Sequence, residues 1–70
     1  MDATVLIDLQ AAERATNDCI QSQRDFHLAI NNRAWLRAEA ARLATTAFME
    51  AALDAFMRAH RNLEAMSHGD

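Results

Sequence analysis

The side chains with the greatest capacity for chemistry in this sequence are three histidines, one cysteine and scattered carboxylates. His60 and Glu64 lie one helical turn apart, a spacing that can place two metal ligands on one helix face, and His27 and His68 add further imidazoles. Structural zinc needs four ligands at short reach. A hairpin places His27 near its turn and His60 near its open end, so we predict no metal and no other cofactor.

The sequence also lacks the residue arrangements that covalent and acid–base catalysis need. A nucleophile needs a base within hydrogen-bond reach and a third group that orients the base. Cys19 has neither, because His27 is two helical turns away and off line, so Cys19 is predicted to pack in the core. The carboxylates fall mostly on faces expected to be solvated: Asp8, Glu13, Asp18, Glu50 and Asp54. We therefore expect no enzymatic activity.

Trp35 and the arginines around it are the group best suited to binding a partner. Tryptophan and arginine are the residue types most enriched among interface hot spots, because each combines large contact area with directional hydrogen bonding. An alternative is that Trp35 closes the hairpin by covering Phe26 and Ile30. The predicted partner-binding residues are Arg33, Trp35, Arg37 and Arg42.

The elements that position these side chains follow from the scarcity of helix breakers. The chain has no proline, and its one glycine is Gly69. Two adjacent asparagines tolerate a left-handed backbone and predict a tight turn. Asp2 or Thr4 is expected to cap the first helix, and Gly69 to stop the second. The predicted fold is one all-α domain, a two-helix antiparallel hairpin with a helix at about 4–30, a turn at 31–32, a helix at about 33–66 and a tail at 67–70.

Apolar residues at steps of three and four predict the buried face of each helix. In the first helix this stripe contains Val5, Leu9, Ala12, Thr16, Cys19, Gln23, Phe26 and Ile30, and Leu6 and Ile20 widen it. In the second helix the pattern changes phase, from Leu36, Ala40, Leu43 and Ala47 to Phe48, Ala52, Ala55 or Phe56, Ala59, Leu63 and Met66. Either this helix bends, or it buries two faces, one of them against another chain.

Burial of two faces is favoured, because large side chains of the first helix would then oppose alanines of the second. The chain has 70 residues, and a core of this size rarely supplies more than roughly 3–5 kcal/mol, which favours oligomerisation. We therefore predict a homodimer in which two hairpins form a four-helix bundle. The predicted dimer interface contains Phe48, Met49, Ala52, Leu53, Phe56 and Leu63.

Composition limits the environment and the partners. Hydrophobic residues make up 51% and charged residues 24% of the chain, a mixture typical of globular domains. The net charge of −3 argues against binding along a nucleic-acid backbone. We expect a cytoplasmic protein without a membrane partner, because the sequence has no signal-peptide pattern and no apolar run of membrane-spanning length.

The segment Asn32, Arg33, Ala34 and Trp35, followed by an alanine-rich helix, resembles the turn and second helix of small phage-encoded helical-hairpin inhibitors of the quorum-sensing anti-activator type. The resemblance covers about half of the chain. It implies a dimeric hairpin, made by a phage or another mobile element, that binds a bacterial host protein and blocks its activity. Arg33 and Trp35 would be contact residues.

Three functions remain open at this point. The predicted one is a non-catalytic regulator or inhibitor that associates directly with a bacterial host protein. The second is a small secretion-type chaperone that shields an amphipathic helix of its partner. The third is a dimeric RNA-binding hairpin, whose face would contain Arg24, Arg33, Arg37 and Arg42 and which the negative net charge disfavours.

Overall fold

The computed structural model describes residues 3–68, which form two helices joined by a tight turn. Helix α1 spans Thr4–Asn31 and helix α2 spans Trp35–His68. They pack against each other as an antiparallel hairpin whose Cα atoms extend over 56 × 14 × 11 Å. The predicted all-α hairpin is confirmed. Neither helix, over the residues described, contains an apolar stretch that could cross a membrane.

The two helices meet along one seam of residues spaced alternately three and four positions apart. This spacing is the heptad repeat of coiled coils, in which side chains of one helix fill the spaces between side chains of the other. The buried or half-buried seam residues of α1 are Val5, Asp8, Ala12, Ala15, Cys19, Ser22, Phe26 and Ala29. The seam residues of α2, together with Ala34 just before it, are Ala34, Ala38, Ala41, Thr45, Phe48, Ala52, Ala55, Ala59, Asn62 and Met66. Ala44, next to Thr45, is also half-buried.

Alanine dominates this seam. Ala29, Ala55 and Ala59 are only 2–3% exposed, and among residues 3–68 no large side chain is fully buried. Small side chains allow two helices to approach closely, but each removes little apolar area from water. The core of a single hairpin is therefore thin, and most of the large apolar side chains stay in contact with solvent.

A polar contact lies at the open end of the seam, opposite the turn. Oδ2 of Asp8 accepts a hydrogen bond from Nδ2 of Asn62 at 3.0 Å, and Oδ1 of Asp8 lies 3.6 Å from Nε of Arg58. A polar pair within a coiled-coil seam favours one register, because slippage would leave its members without partners.

The predicted stripe of α1 is half correct. Val5, Ala12, Cys19 and Phe26 lie on the seam as predicted. The remaining four predicted residues are exposed, and the seam instead uses the residue one position earlier in each case. The exposed residues are Leu9, Thr16, Gln23 and Ile30, replaced on the seam by Asp8, Ala15, Ser22 and Ala29. Close approach of the helices favours the smaller side chain of most of these pairs, and Asp8 is accommodated by its bond to Asn62.

In α2 the second predicted stripe is largely correct and the first is wrong. Phe48, Ala52, Ala55, Ala59 and Met66 lie on the seam. By contrast, the stripe of Leu36, Ala40, Leu43 and Ala47 is exposed throughout. The predicted change of phase does not occur, because the heptad spacing of the seam residues continues unbroken from Ala34 to Met66 and places the leucines outside.

The helix ends also differ from the prediction. Thr4 is the first residue of α1 rather than its cap, because the capping position is occupied by Ala3, which makes no side-chain capping bond. The turn falls at 32–34 instead of 31–32, and α2 continues to His68 instead of ending near Met66. The alternative cap Asp2 and the proposed stop residue Gly69 lie outside the described residues.

The close packing of the alanine seam gives a first testable prediction. Ala55→Leu should lower the free energy of unfolding by about 1–3 kcal/mol, because three extra carbon atoms would force the helices apart. Ala51→Leu is the matched control, since Ala51 is exposed on the same helix, and it should change stability by less than about 0.5 kcal/mol. Urea titration followed by circular dichroism measures both, and equal effects of the two substitutions would contradict the assigned seam.

Candidate protein-interaction surfaces

Backbone hydrogen bonds close the turn between the helices. The N–H of Ala34 donates to the carbonyl of Ala29 at 2.8 Å, and the N–H of Arg33 donates to the carbonyl of Ile30 at 3.1 Å. This pair of bonds is the Schellman arrangement, which ends a helix by reversing one residue into the left-handed conformation. The first bond of the next helical segment follows at once, from the N–H of Ala38 to the carbonyl of Ala34 at 2.9 Å.

Arg33 is the residue that adopts the left-handed conformation, with φ of 56°. The sequence predicted this role for Asn31 and Asn32, which is wrong: Asn31 is the last residue of α1, and Asn32 has φ of −90°. Glycine is usual at such a position, and a residue with a Cβ atom is less stable there by roughly 1–2 kcal/mol. The turn therefore keeps an arginine side chain at its apex at a cost in stability.

Two large apolar side chains stand next to Arg33 in the solvent. Trp35 is 62% exposed and Leu36 is 91% exposed, the latter being the most exposed large apolar residue described. Since most of the Trp35 side chain is in contact with water, it covers little of the hairpin, which favours binding over closure of the turn. We call Arg33, Trp35 and Leu36 the apical group. The sequence missed Leu36 as a surface residue, because it fitted the apolar stripe expected to face α1.

The other two predicted partner-binding arginines lie in different grooves, on opposite sides of the seam. Arg42 lines a groove with Gln23 and His27, whereas Arg37 lines the groove on the opposite side of the seam, near Asp25. Arg42 is also engaged within the helix, since its Nε donates to Oε2 of Glu39 at 3.0 Å and its Nη2 contacts Oε1. The hydrogen bond from Arg42 lowers the pKa of the Glu39 carboxyl. Arg42 is therefore less available to a partner than Arg33.

One side of the hairpin carries large exposed apolar residues from both helices, most of them toward the open end. Three neighbouring grooves follow this side from the open end to the turn. Leu9 shares the first groove with Phe56 and Leu63, and Thr16 shares the second with Met49 and Leu53. We call this side the apolar flank. Steps of three and four residues along each helix place further residues on the same side. Its large exposed apolar residues are then Leu6, Leu9, Ile20, Ile30, Trp35, Met49, Leu53, Phe56 and Leu63.

The threonines on and beside the apolar flank have their hydroxyl groups bonded within their own helix. Thr16 Oγ1 donates to the carbonyl of Ala12 at 2.8 Å, Thr45 Oγ1 to that of Ala41 at 2.8 Å, and Thr46 Oγ1 to that of Arg42 at 3.2 Å. These hydroxyls need no further partner when the flank is covered. The opposite side of the seam, which we call the polar flank, combines alanines with Asp25 and Arg37.

The predicted dimer interface divides between two places in the structure. Met49, Leu53, Phe56 and Leu63 lie exposed on the apolar flank. The other two predicted interface residues, Phe48 and Ala52, are half-buried in the seam against α1. On the α1 side of the flank, the sequence had placed Leu9 and Ile30 inside the hairpin. The signal that would have found them is the heptad of small residues one position earlier.

The cysteine and histidines considered for catalysis or metal binding do not come together in one site. Cys19 is buried in the seam, which confirms its predicted place in the core. His60 and Glu64 are both exposed, with Nε2 and Oε2 3.8 Å apart, and His27 lines a different groove nearer the turn. Across the described part of the chain, no group of three or more histidine, cysteine or acidic side chains is arranged to hold a metal ion.

Comparison of the chain with protein-family models, with curated proteins and with solved structures finds no match. The hairpin offers a partner two exposed surfaces, the apical group and the apolar flank. The first lies at the turn, and the second follows the length of both helices.

The energetic cost of the left-handed backbone at Arg33 can be tested by substituting glycine, which adopts this conformation without strain. Arg33→Gly should raise the free energy of unfolding by up to about 1 kcal/mol, because the loss of the left-handed penalty exceeds the extra entropy of glycine in the unfolded chain. Arg33→Ala keeps the Cβ atom and should give no such gain. Urea titration of the two variants beside the unchanged protein measures the difference, and a less stable Arg33→Gly variant would refute a strained turn.

Proposed function

We propose that this protein is a non-catalytic, cytoplasmic regulator or inhibitor that acts by binding directly to a bacterial host protein through its apical group. The observation that carries the proposal is the left-handed arginine at the apex of the turn. Strained backbone at an exposed position is maintained where the side chain has a use, because glycine at that position would be more stable. Arg33 lies beside Trp35, and together they combine a charge with a large aromatic surface.

The shape of the hairpin supports the same proposal. The apical group occupies the narrow end of a rod whose cross-section is 14 × 11 Å over its Cα atoms. Such an end fits a cleft of a partner, where exposed residues such as Trp35 and Leu36 would lose contact with water. Desolvated aromatic anchors of this kind dominate the binding energy of many protein interfaces.

A role in RNA binding has less support from the arrangement of the arginines. Arg37 and Arg42 lie on opposite sides of the seam, and Arg42 is already paired with Glu39. A negative net charge further weakens attraction to phosphates. Proteins are therefore the favoured class of partner.

Site-specific photo-crosslinking tests the proposal directly. A benzoylphenylalanine placed at Leu36 should capture one host protein in bacterial lysate, in a yield that nuclease treatment does not change. The matched control places the same group at Asp54, which is also exposed but lies far from the turn. Capture of the same protein from both positions, or of nucleic acid from Leu36, would contradict binding through the apical group.

The contribution of Trp35 can then be measured with the partner that has been captured. Trp35→Ala should weaken binding at least about tenfold, as expected for removal of a hot-spot anchor, with unchanged helicity. Asp54→Ala serves as the control and should leave affinity unaltered. Titration calorimetry and circular dichroism on the same samples give both values. If Trp35→Ala loses helicity together with binding, Trp35 closes the hairpin instead.

A further inference from the structure

Apart from Trp35, which it shares with the apical group, the apolar flank is not used by the proposed partner site. We propose that a second copy of this chain covers it, so that two hairpins pack flank to flank into a four-helix bundle with both turns at the same end. The proposal goes beyond the partner-binding function, because it concerns the sides of the hairpin rather than its apex.

The exposed area indicates that a large surface is left to be covered. The chain exposes 5529 Å², whereas a monomeric globular protein of 7.8 kDa exposes about 4,400 Å² by the usual scaling with mass. The excess, about 1,100 Å², exceeds the roughly 800 Å² that each partner buries in a standard protein interface. A second copy exposes the same excess area, so contact between the two copies can bury the excess of both at once.

The length of the flank also favours a second copy. Its apolar residues extend from Trp35, the first residue of α2, to Leu63, one turn short of the end of the seam. At about 1.5 Å per residue this is a face roughly 40 Å long, made by two helices side by side. The hairpin itself is 56 Å long and presents the same apolar face, so a second copy is long enough to cover all of it.

Polarity along the flank distinguishes the two ways in which the copies can face each other. The open-end part is apolar, with Leu53 and Phe56, whereas the part nearer the turn is polar, with Glu39 and Arg42, and the turn itself is apolar again at Trp35. The polar part therefore lies off the middle of the hairpin. A two-fold axis parallel to the helices places each part opposite its own copy.

The opposite arrangement is less favourable. With the turns at opposite ends and full overlap, the polar part around Arg42 would lie over the apolar part around Phe56 and Leu9 of the other copy. Covering charged groups with apolar side chains removes water without replacing its hydrogen bonds. With both turns at one end, the Arg42–Glu39 pair of each hairpin, which is neutral as a unit, meets polar residues of the other.

The first test is the mass of the purified full chain. Light scattering and sedimentation over a range of micromolar concentrations should give twice the chain mass of 7.8 kDa. Phe56→Glu should raise the dissociation constant of the dimer about 100-fold by placing a charge in the apolar contact, whereas Ala51→Glu, an exposed position outside the flank, should not. If Phe56→Glu also unfolds, the dilution series of the unchanged protein still decides the question. A mass of one chain at all concentrations would overturn the proposal and favour the chaperone alternative.

The second test measures the orientation. A spin label at Asn32→Cys, in a Cys19→Ala background, reports the distance between the two turns. Turns at the same end should give roughly 10–25 Å, the breadth of a four-helix bundle with helix axes about 8–10 Å apart. Turns at opposite ends would give a distance near the 56 Å length of the hairpin and would overturn the assigned orientation. A label at Ser67→Cys is the matched control at the open end and should likewise give the shorter distance.

Because these measurements need no partner, they are independent of the crosslinking experiment. A dimer without a captured host protein would refute only the proposed function. A captured host protein with a monomeric hairpin would refute only the second copy.

Discussion

The close packing of alanines between two helices is the constraint on which the rest of this structure depends. Ala38, Ala55 and Ala59 are almost completely buried, and their small volume lets the helices lie side by side with little between them. The seam has room for only a few bulky residues, such as Phe26, Phe48 and Met66, and each of these is only half-buried. Most of the large apolar side chains therefore lie outside, where they form the apolar flank and the apical group.

This arrangement separates the stability of the hairpin from its capacity to bind. In most small domains, leucine and phenylalanine side chains form the core. Binding a partner then requires further residues on the surface. Here the heptad seam uses small residues for intramolecular packing and leaves Leu53, Phe56 and Trp35 available for other contacts. Apolar faces of this extent are uncommon on isolated soluble proteins and generally mark surfaces of association.

The fold could be predicted from the sequence because its evidence is local. The lack of proline, a single glycine near the end and long stretches of helix-favouring residues determine two helices and a turn. The assignment of faces was less successful, since hydrophobicity alone selected Leu9 and Leu36 for the interior. Whether a leucine or a nearby residue of the same helix faces the other helix depends on how closely the backbones approach, which is a property of both helices together.

The turn illustrates the same limit at a smaller scale. Asparagine was the reasonable choice for a left-handed residue on intrinsic preference, yet Arg33 adopts that conformation because the helix continues through Asn31. The backbone hydrogen bonds that end α1 determine which residue adopts the left-handed conformation. Local preference does not determine where those bonds form.

The hairpin topology also has a consequence for how the molecule opens. Each layer of the seam contacts only the layers next to it, so the structure behaves almost as a one-dimensional array. The pairs beside the turn close short loops, whereas Asp8 and Asn62 join positions 54 residues apart. Once the turn exists, each further layer lengthens the closed loop only slightly, and the added entropic cost is small. The two helices can therefore pair progressively from the turn outward. The open end separates first, and the Asp8–Asn62 bond holds it closed.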